Sequence, residues 1–182
     1  MSKNTLIIAI IAICTMPLSA WAGINEGSYQ IYQNGKEVIS GKSIVTKHMK
    51  NETFKIKIVN NKTHEVIGLG SGTTLGNNPL MFDSIKETPY ISSLSTKNNV
   101  TKSKQGFVES GYNFAIVENG ATVHVVGNIS KLDKIKKLKS GTSIIDKPYV
   151  NSVEFNQLLS MHSGQTVKFN NGPYSVTIIK KV

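Results

Sequence analysis

The chain has 182 residues and a formal net charge of +10, and all 21 of its basic residues are lysines. Arginine is the side chain that binds phosphate through two parallel hydrogen bonds, so its absence argues against specific recognition of a nucleic acid. A lysine-rich chain instead fits a solvated basic surface, or contact with an anionic membrane surface or a polyanionic sugar. The length allows one compact domain, or two very small ones.

The first residues have the three parts of a bacterial secretory signal peptide. Lys3 supplies the positive start, residues 6–14 form a short apolar run, and residues 18–22 end in two alanines spaced for cleavage. The apolar run is too short to span a bilayer as a helix, which favours removal over anchoring. We therefore predict a signal peptide at residues 1–22, cut between Ala22 and Gly23. The expected destination is the periplasm or outer membrane of a Gram-negative bacterium, with release to the medium as the alternative.

Cleavage at this position changes the chemistry of the remaining chain. The single cysteine, Cys14, and the single tryptophan, Trp21, both lie in the predicted signal peptide. The exported chain is therefore expected to form no disulfide and to use no thiolate metal ligand or thiol nucleophile. We predict a single β-rich domain over residues 23–182. The polar stretch 92–105 is either a mobile loop or a connection between two halves of that domain.

The stretch around which the chain is organised is a hairpin at residues 112–126. Apolar side chains alternate along both of its runs, and Asn119 and Gly120 stand between them, which is typical of a type I′ turn. The same Asn-Gly turn pattern occurs at Asn34 with Gly35 and at Asn171 with Gly172. We predict an all-β fold, an antiparallel hairpin-rich sheet or sandwich. The positions expected in the core or facing lipid are Tyr112, Phe114, Ile116, Val123 and Val125.

Other segments are assigned by the same alternation. Strands are predicted at residues 28–33, 36–40, 54–58, 64–69, 81–85, 166–170 and 174–179, with a turn at Asn60 and Asn61. Residues 68–79, rich in glycine and asparagine, are predicted to form a loop. Residues 152–161 fit a strand or a helix.

One short amphipathic helix is predicted at residues 129–139. Ile129, Leu132, Ile135 and Leu138 recur at intervals of three, and Gly141 follows as a stop signal. Its lysines are the predicted contact face for a partner: Lys131, Lys134, Lys136, Lys137 and Lys139. The alternative is that the apolar stripe simply covers one side of the sheet.

No motif in the chain predicts catalysis, a cofactor or a metal ion. Residues 35–43 resemble a phosphate-binding loop, but five residues separate the two glycines instead of four, and the first belongs to a hairpin turn. The glycines at residues 68–72 precede no helix pattern and are expected to permit a flexible turn. The histidines His48, His64, His124 and His162 lack metal-ligand spacing. We predict that the protein is not an enzyme; a Ser-His-Asp triad assembled only in space is the alternative.

From Gly106 onward the order of features resembles the C-terminal β-domain of bacterial secretins, especially those of type IVb pili. The matching pieces are Ser110-Gly111-Tyr112, the central hairpin, Ser130-Lys131-Leu132, Lys147-Pro148-Tyr149-Val150, Phe155 and Ser163-Gly164-Gln165-Thr166-Val167. Upstream, Glu87-Thr88-Pro89-Tyr90 resembles the strand that precedes this hairpin in the family. The proline that usually follows the first hairpin strand is missing, and the length leaves no room for the periplasmic ring domains. The resemblance implies a trimmed relative or an accessory component.

The functional prediction follows from export and from the resemblance. We expect a non-enzymatic envelope protein, a component or accessory of a pilus, secretion or conjugation apparatus, that works by protein–protein contact. Envelope or secretion-apparatus proteins are the expected partners, together with further copies of the chain or an anionic membrane surface. The alternative function is a secreted or surface adhesin or effector that binds host glycan or lipid.

Overall fold

The protein is all-β. The computed structural model describes residues 12–15, 24–33, 36–46, 51–74, 78–97, 100–140 and 143–181, and these contain eleven strands and no helix. The strands are β1 Ala12–Thr15, β2 Ile24–Gln33, β3 Lys36–Thr46, β4 Thr53–Asn60, β5 Val66–Thr73, β6 Leu80–Lys97, β7 Val100–Asn119, β8 Thr122–Ser140, β9 Ser143–Ser160, β10 Thr166–Asn171 and β11 Tyr174–Lys180. The prediction of an antiparallel, hairpin-rich fold is confirmed.

The strands form three antiparallel sheets stacked in layers. The central sheet has the order β6-β7-β8-β9, and its two neighbours have the orders β10-β11-β4-β5 and β1-β2-β3. A large apolar cluster joins the central sheet to β4 and β11, and a smaller cluster joins it to β2 and β3. The predicted cleavage site at Ala22 and Gly23 lies outside the described residues. Cleavage there would also remove β1.

Burial on both faces explains the continuous apolar run in the middle of β7. Phe114 and Ile116 point into the larger cluster, whereas Ala115 and Val117 point into the smaller one. A strand covered on both sides needs apolar side chains at every position, and not at alternate positions. Of the predicted core residues, Phe114, Ile116, Val123 and Val125 are fully buried. Tyr112 is half-buried against the same cluster.

The central hairpin is confirmed, although its turn type differs from the prediction. Asn119 pairs with Thr122, so the two loop residues are Gly120 and Ala121. Gly120 has a φ of 64°, and Ala121 is not among the described residues with positive φ. Glycine at the first loop position alone is typical of a type II′ turn, whereas type I′ needs positive φ at both positions. The turn at Asn34 and Gly35 lies outside the described residues.

The glycine-rich stretch predicted as a loop is largely the strand β5. Gly68, Gly70 and Gly72 alternate along it, and each lies under a bulky side chain of the central sheet. A Cβ atom at Gly70 would lie 2.5 Å from Cδ1 of Phe82. The glycines therefore do not permit a flexible turn. They let the two sheets approach closely while large side chains fill the space.

We predict that Gly70→Val lowers the free energy of unfolding by about 1–3 kcal/mol, because the new side chain must displace the Phe82 ring in a packed interior. Ser71→Val is the matched control, since Ser71 is exposed on the same strand. It should change the free energy by no more than about 0.5 kcal/mol. Urea unfolding followed by circular dichroism measures both. Equal effects of the two variants would contradict the close packing of β5.

The predicted helix at residues 129–139 is wrong, because this segment is part of β8. The pairing of β8 with β9 shifts by one residue between Leu132 and Lys134, which marks a β-bulge at Asp133. Side chains two positions apart normally lie on the same face of a strand. The extra residue of the bulge makes this three positions across the bulge, so Leu132 and Ile135 lie on the same face. A helix would also place Lys131, Lys134 and Lys137 at repulsive i, i+3 positions. The bulge therefore accounts for the spacing of three between Leu132 and Ile135, whereas Ile129 and Leu138 lie on the opposite face of β8.

The described residues of the polar stretch 92–105 lie in strands. Residues 92–97 and 100–105 are the far ends of β6 and β7, and they pair with each other as far as Lys97 and Val100. Residues 152–161, which fitted either a strand or a helix, belong to β9 as far as Ser160. The last residue of the segment 152–161, Met161, lies just after β9 and is fully buried.

A buried charge cluster joins the central sheet to its larger neighbour. The Nζ atom of Lys180, on β11, donates a hydrogen bond to Glu118 on β7 and lies 3.9 Å from Oε1 of Glu52. All three side chains are nearly enclosed, and the Phe54 ring packs against the ammonium group at 6.0 Å. Because these charges are out of water, they are compensated mainly by one another.

We predict that Lys180→Ala lowers the free energy of unfolding by about 3–5 kcal/mol, since it removes the ammonium group that is bonded to the buried carboxylate of Glu118. Lys168→Ala removes an exposed lysine from β10 and should cost no more than about 0.5 kcal/mol. Both values come from urea unfolding at neutral pH. If the two variants were equally stable, Lys180 would be a surface lysine and the cluster would not exist in solution.

Candidate functional site

The central sheet divides into two arms. β7 and β8 pair with each other from Asn119 and Thr122 only as far as Gly111 and Ser130. Beyond that point β7 continues with β6, and β8 continues with β9, each as an independent hairpin. We call residues 86–97 with 100–110 the first arm, and residues 131–140 with 143–151 the second arm.

The division of the sheet leaves two open strand edges. Residues 102–110 of β7 pair with β6 on one side, and residues 131–140 of β8 pair with β9 on one side. No described strand pairs with the other side of either segment. Gly111 has a φ of 134°, which side chains rarely adopt, and it lies at the point where β7 leaves β8. Glycine there permits the change in direction.

The two arms enclose a cleft. The backbone N–H of Ile91, on β6, donates a hydrogen bond of 2.9 Å to Oδ2 of Asp146 on β9. The arms that separate along β7 and β8 are thus joined again along their outer strands. The space between them is about 480 Å³, within the range of roughly 300–1,000 Å³ that small-molecule sites occupy. Its apolar lining includes Ile85, Phe107, Val108, Tyr112, Ile145 and Val150.

Two asparagines line the cleft where the arms diverge. Asn113 and Asn128 are opposite each other on β7 and β8, and their side chains are 8% and 5% exposed. Neither Oδ1 atom accepts a hydrogen bond from the protein. Nδ2 of Asn128 donates to Oγ of Ser130 at 3.1 Å, and that oxygen lies 2.9 Å from Oγ of Ser152. Each of the two residues beside the cleft therefore carries a buried carbonyl oxygen without a donor from the described protein.

The five lysines of the predicted contact face lie on β8, divided between its two faces. Lys131, Lys134 and Lys136 are opposite Asn151, Tyr149 and Lys147 of β9, whereas Lys137 and Lys139 are opposite Asp146 and Ile144. Cross-strand partners point to the same side of a sheet. The bulge puts Lys131 on the same side as Lys134 and Lys136, and the normal alternation of a strand puts Lys137 and Lys139 on the other side. All five lysines are exposed.

A cationic cluster surrounds one tyrosine on the second arm. The Nζ atoms of Lys134, Lys136 and Lys147 lie 5.8, 5.4 and 5.6 Å from the centroid of the Tyr149 ring. Cation–π contacts of this kind are worth about 0.5–1 kcal/mol each at exposed sites. They hold three positive charges together on one surface. This surface is suited to contact with carboxylates or other anionic groups.

The described histidines do not form a cluster. His64 and His162 are exposed in turns, and Nε2 of His124 lies 2.7 Å from Oδ1 of Asn156. His48 lies outside the described residues. Among the described side chains, no group of three His, Cys, Asp or Glu residues could hold a metal ion. Within the same residues, no helix has the length and hydrophobicity needed to cross a membrane.

Comparisons with protein-family models, with curated proteins and with solved structures found no match.

The sequence reasoning missed the two asparagines of the cleft. The available signal was Asn113 between Tyr112 and Phe114, since asparagine is depleted in strands and rarely stands inside an apolar run. The buried Lys180 carried a similar signal, because it is the last residue of the otherwise apolar strand β11. Neither position could be given a partner from the sequence, because the partners come from other strands.

We predict an alternating pattern of amide hydrogen exchange over residues 131–140. In a strand with one open edge, the N–H groups bonded to β9 are protected, and those facing the gap exchange with an opening free energy of about 0. NMR-detected exchange of the amide protons gives the pattern residue by residue. Residues 122–130, which pair on both sides, are the internal control and should be protected continuously. Continuous protection of residues 131–140 would indicate a helix or a second pairing partner.

Proposed function

We propose that this protein is a non-enzymatic component or accessory of an envelope apparatus, such as a pilus, secretion or conjugation system, and that it acts by protein–protein contact through its two arms. The observation that carries the proposal is the pair of open strand edges at residues 102–110 and 131–140. Strand edges with free N–H and C=O groups are a common means of binding an extended segment of another protein.

The chemistry of the second arm supports an acidic partner. Residues 131–140 contain five lysines and one aspartate. Two of these lysines, together with Lys147, surround the Tyr149 ring. Lysine on a strand edge opposes pairing with a second copy of the same edge, because like charges would meet. An acidic partner strand would instead gain both backbone hydrogen bonds and charge complementarity.

The ends of the arms support contact with a larger surface. Val100 and Ile144, next to the two hairpin ends, are 58% and 47% exposed, and Ile91 on the first arm is 40% exposed. These apolar side chains would lose contact with water if a partner covered the arms. The predicted signal peptide and the resemblance to secretin β-domains support a location in the cell envelope, at the periplasm or outer membrane.

A second candidate function is a secreted or surface-bound adhesin or effector that recognises an anionic glycan or a lipid. The lysines around Tyr149 favour it, because an aromatic ring beside several ammonium groups fits a sugar that carries acidic substituents. Cell fractionation separates the two candidates. Retention in the periplasm or outer membrane supports the apparatus, and release to the medium supports the second candidate.

The partner contact is tested with a photo-crosslinking amino acid placed at Gln105 on the first arm. We expect crosslinks to a defined envelope protein from Gln105, and none from a matched control position at Lys168 on β10. Raising the salt concentration from about 0.1 to about 1 M should reduce the yield of crosslinked product. The higher salt shortens the distance over which charges attract each other from about 10 to about 3 Å. Equal crosslinking from both positions would contradict the proposal.

Charge reversal tests the role of the basic arm. We expect the triple variant Lys131→Glu, Lys134→Glu, Lys136→Glu to lower the yield from Gln105 by at least about tenfold, because it slows association with an acidic partner. The control reverses three exposed lysines elsewhere, Lys57, Lys62 and Lys168, and changes the net charge by the same amount. Identical yields from the two triple variants would show that the partner is not bound through this surface.

A further inference from the structure

The edge of β7 in the first arm borders the cleft. Successive side chains of a strand point to opposite faces, so a cavity that lies over one face is lined by alternate residues. This cleft is lined by seven consecutive residues of β7, Phe107 to Asn113. Such a lining places the cavity alongside the strand edge. Within it, residues 107–110 do not pair with β8.

The backbone of this edge limits what can fill the cleft. Consecutive residues of a paired strand present their N–H and C=O groups to opposite sides. Half of these groups in residues 102–110 face β6, and the other half point away from it, on the side where the cleft lies. An apolar molecule would take the latter groups out of water without bonding them, which is unfavourable. An extended peptide would bond them, so this edge favours a peptide over a lipid chain.

One face of the first arm is apolar beside this edge. Ile85 is opposite Gly111 in the pairing of β6 with β7, and it therefore shares a face with Phe107. Both side chains line the cleft, and they are 49% and 56% exposed. An apolar side chain of a bound segment would remove this surface from water.

The opposite face is basic beside the same edge. Lys102 and Lys104 are an odd number of positions from Phe107 on β7, so they point to the other face. Both lysines are exposed. Glu109 shares the face of Phe107 and would repel a carboxylate there. A strand next to β7 therefore gains most from apolar side chains beside Phe107 and acidic side chains beside the two lysines.

We propose that an extended segment of the partner protein, in which apolar and acidic residues alternate, lies in the cleft and pairs with residues 102–110 of β7. This inference rests on the proposed function, since it takes the partner to be a protein. It adds which open edge is paired and which sequence pattern pairs with it. Lys147 of the second arm also lines the cleft and adds positive charge near the bound segment.

The test uses the full chain and three synthetic octapeptides with blocked ends. Valine and glutamate alternate in the first peptide. The second has the same composition, but all its valines precede its glutamates, and in the third valine and lysine alternate. NMR titration gives the dissociation constants. We expect saturable binding of the first peptide and at least about tenfold weaker binding of the other two, because only the first has an apolar face and an acidic face.

Amide hydrogen exchange locates the bound peptide. In the free chain, the amide protons of residues 102–110 that face the cleft should exchange rapidly. We expect the first peptide to protect them and to leave the exchange of residues 131–140, at the other open edge, unchanged. Protection of residues 131–140 in place of residues 102–110 would overturn the proposal.

N-methylation tests the backbone pairing itself. The first peptide is methylated either at every valine nitrogen or at every glutamate nitrogen. Only one of these two sets of N–H groups can face β7, because the groups of consecutive residues point to opposite sides of a strand. One methylated form should therefore bind at least about tenfold more weakly than the other. Equal affinities would overturn the pairing.

Phe107→Ala tests the apolar face. The side chain is more than half exposed, so we expect the variant to fold normally and to bind the first peptide about fivefold more weakly. Leu69→Ala removes an exposed leucine from β5 and is the control, with unchanged affinity. The proposal is overturned if the two variants bind the peptide equally tightly.

The basic face is tested by the double variant Lys102→Glu, Lys104→Glu. It should bind the first peptide at least about tenfold more weakly, because carboxylates would then meet carboxylates. Lys57→Glu, Lys62→Glu reverses two exposed lysines elsewhere and is the control for net charge. Equal affinities of these double variants would contradict the predicted position of the acidic residues.

The crosslinking experiment at Gln105 separates this inference from the proposed function. If Gln105 crosslinks to an envelope protein but the first peptide shows no saturable binding at millimolar concentration, the partner contact stands and the paired segment is overturned. If Gln105 also gives no specific crosslink, both are overturned.

Discussion

The central sheet is covered on both faces where β7 pairs with β8. Over residues 111–119 and 122–130 the two strands are joined, and apolar clusters lie on either side of them. This sandwiched segment contains fully buried side chains on both faces, such as Phe114 and Val126. The burial of apolar surface here is the main stabilising interaction of the fold. The positions of the outer sheets, the arms and the cleft all follow from it.

The arms begin where this cover ends. Beyond Gly111 and Ser130 the apolar run stops, and lysine, serine and threonine become frequent. A strand whose side chains are polar gains little from being covered by another sheet. The two hairpins therefore continue on their own, held by their local ladders and by the bond between Ile91 and Asp146. The open edges and the cleft are the geometric result of a sheet that is longer than its core.

The polar groups of this protein are arranged in two contrasting ways. Lys180 is buried with Glu118 and Glu52, and its charge is compensated within the fold. Asn113 and Asn128 are equally enclosed, yet their carbonyl oxygens have no donor. The first arrangement joins two sheets, whereas the second leaves two acceptors unsatisfied inside the central sheet. Buried polar groups without partners are rare in folded proteins, so the two asparagines are the exception in this core.

Local chemistry in the sequence was sufficient for the fold class and for much of the strand order along the chain. Alternating apolar residues and the Asn-Gly turns predict antiparallel hairpins, because side chains on a strand alternate with a period of two and glycine permits positive φ. The tertiary structure decided what depends on distant strands. Pairing with β9 made a strand of the segment with helical spacing, and bulky side chains of the central sheet cover the glycine-rich strand β5. The register that places Asn113 opposite Asn128 is likewise fixed by packing on both faces of the sheet, which no local pattern contains.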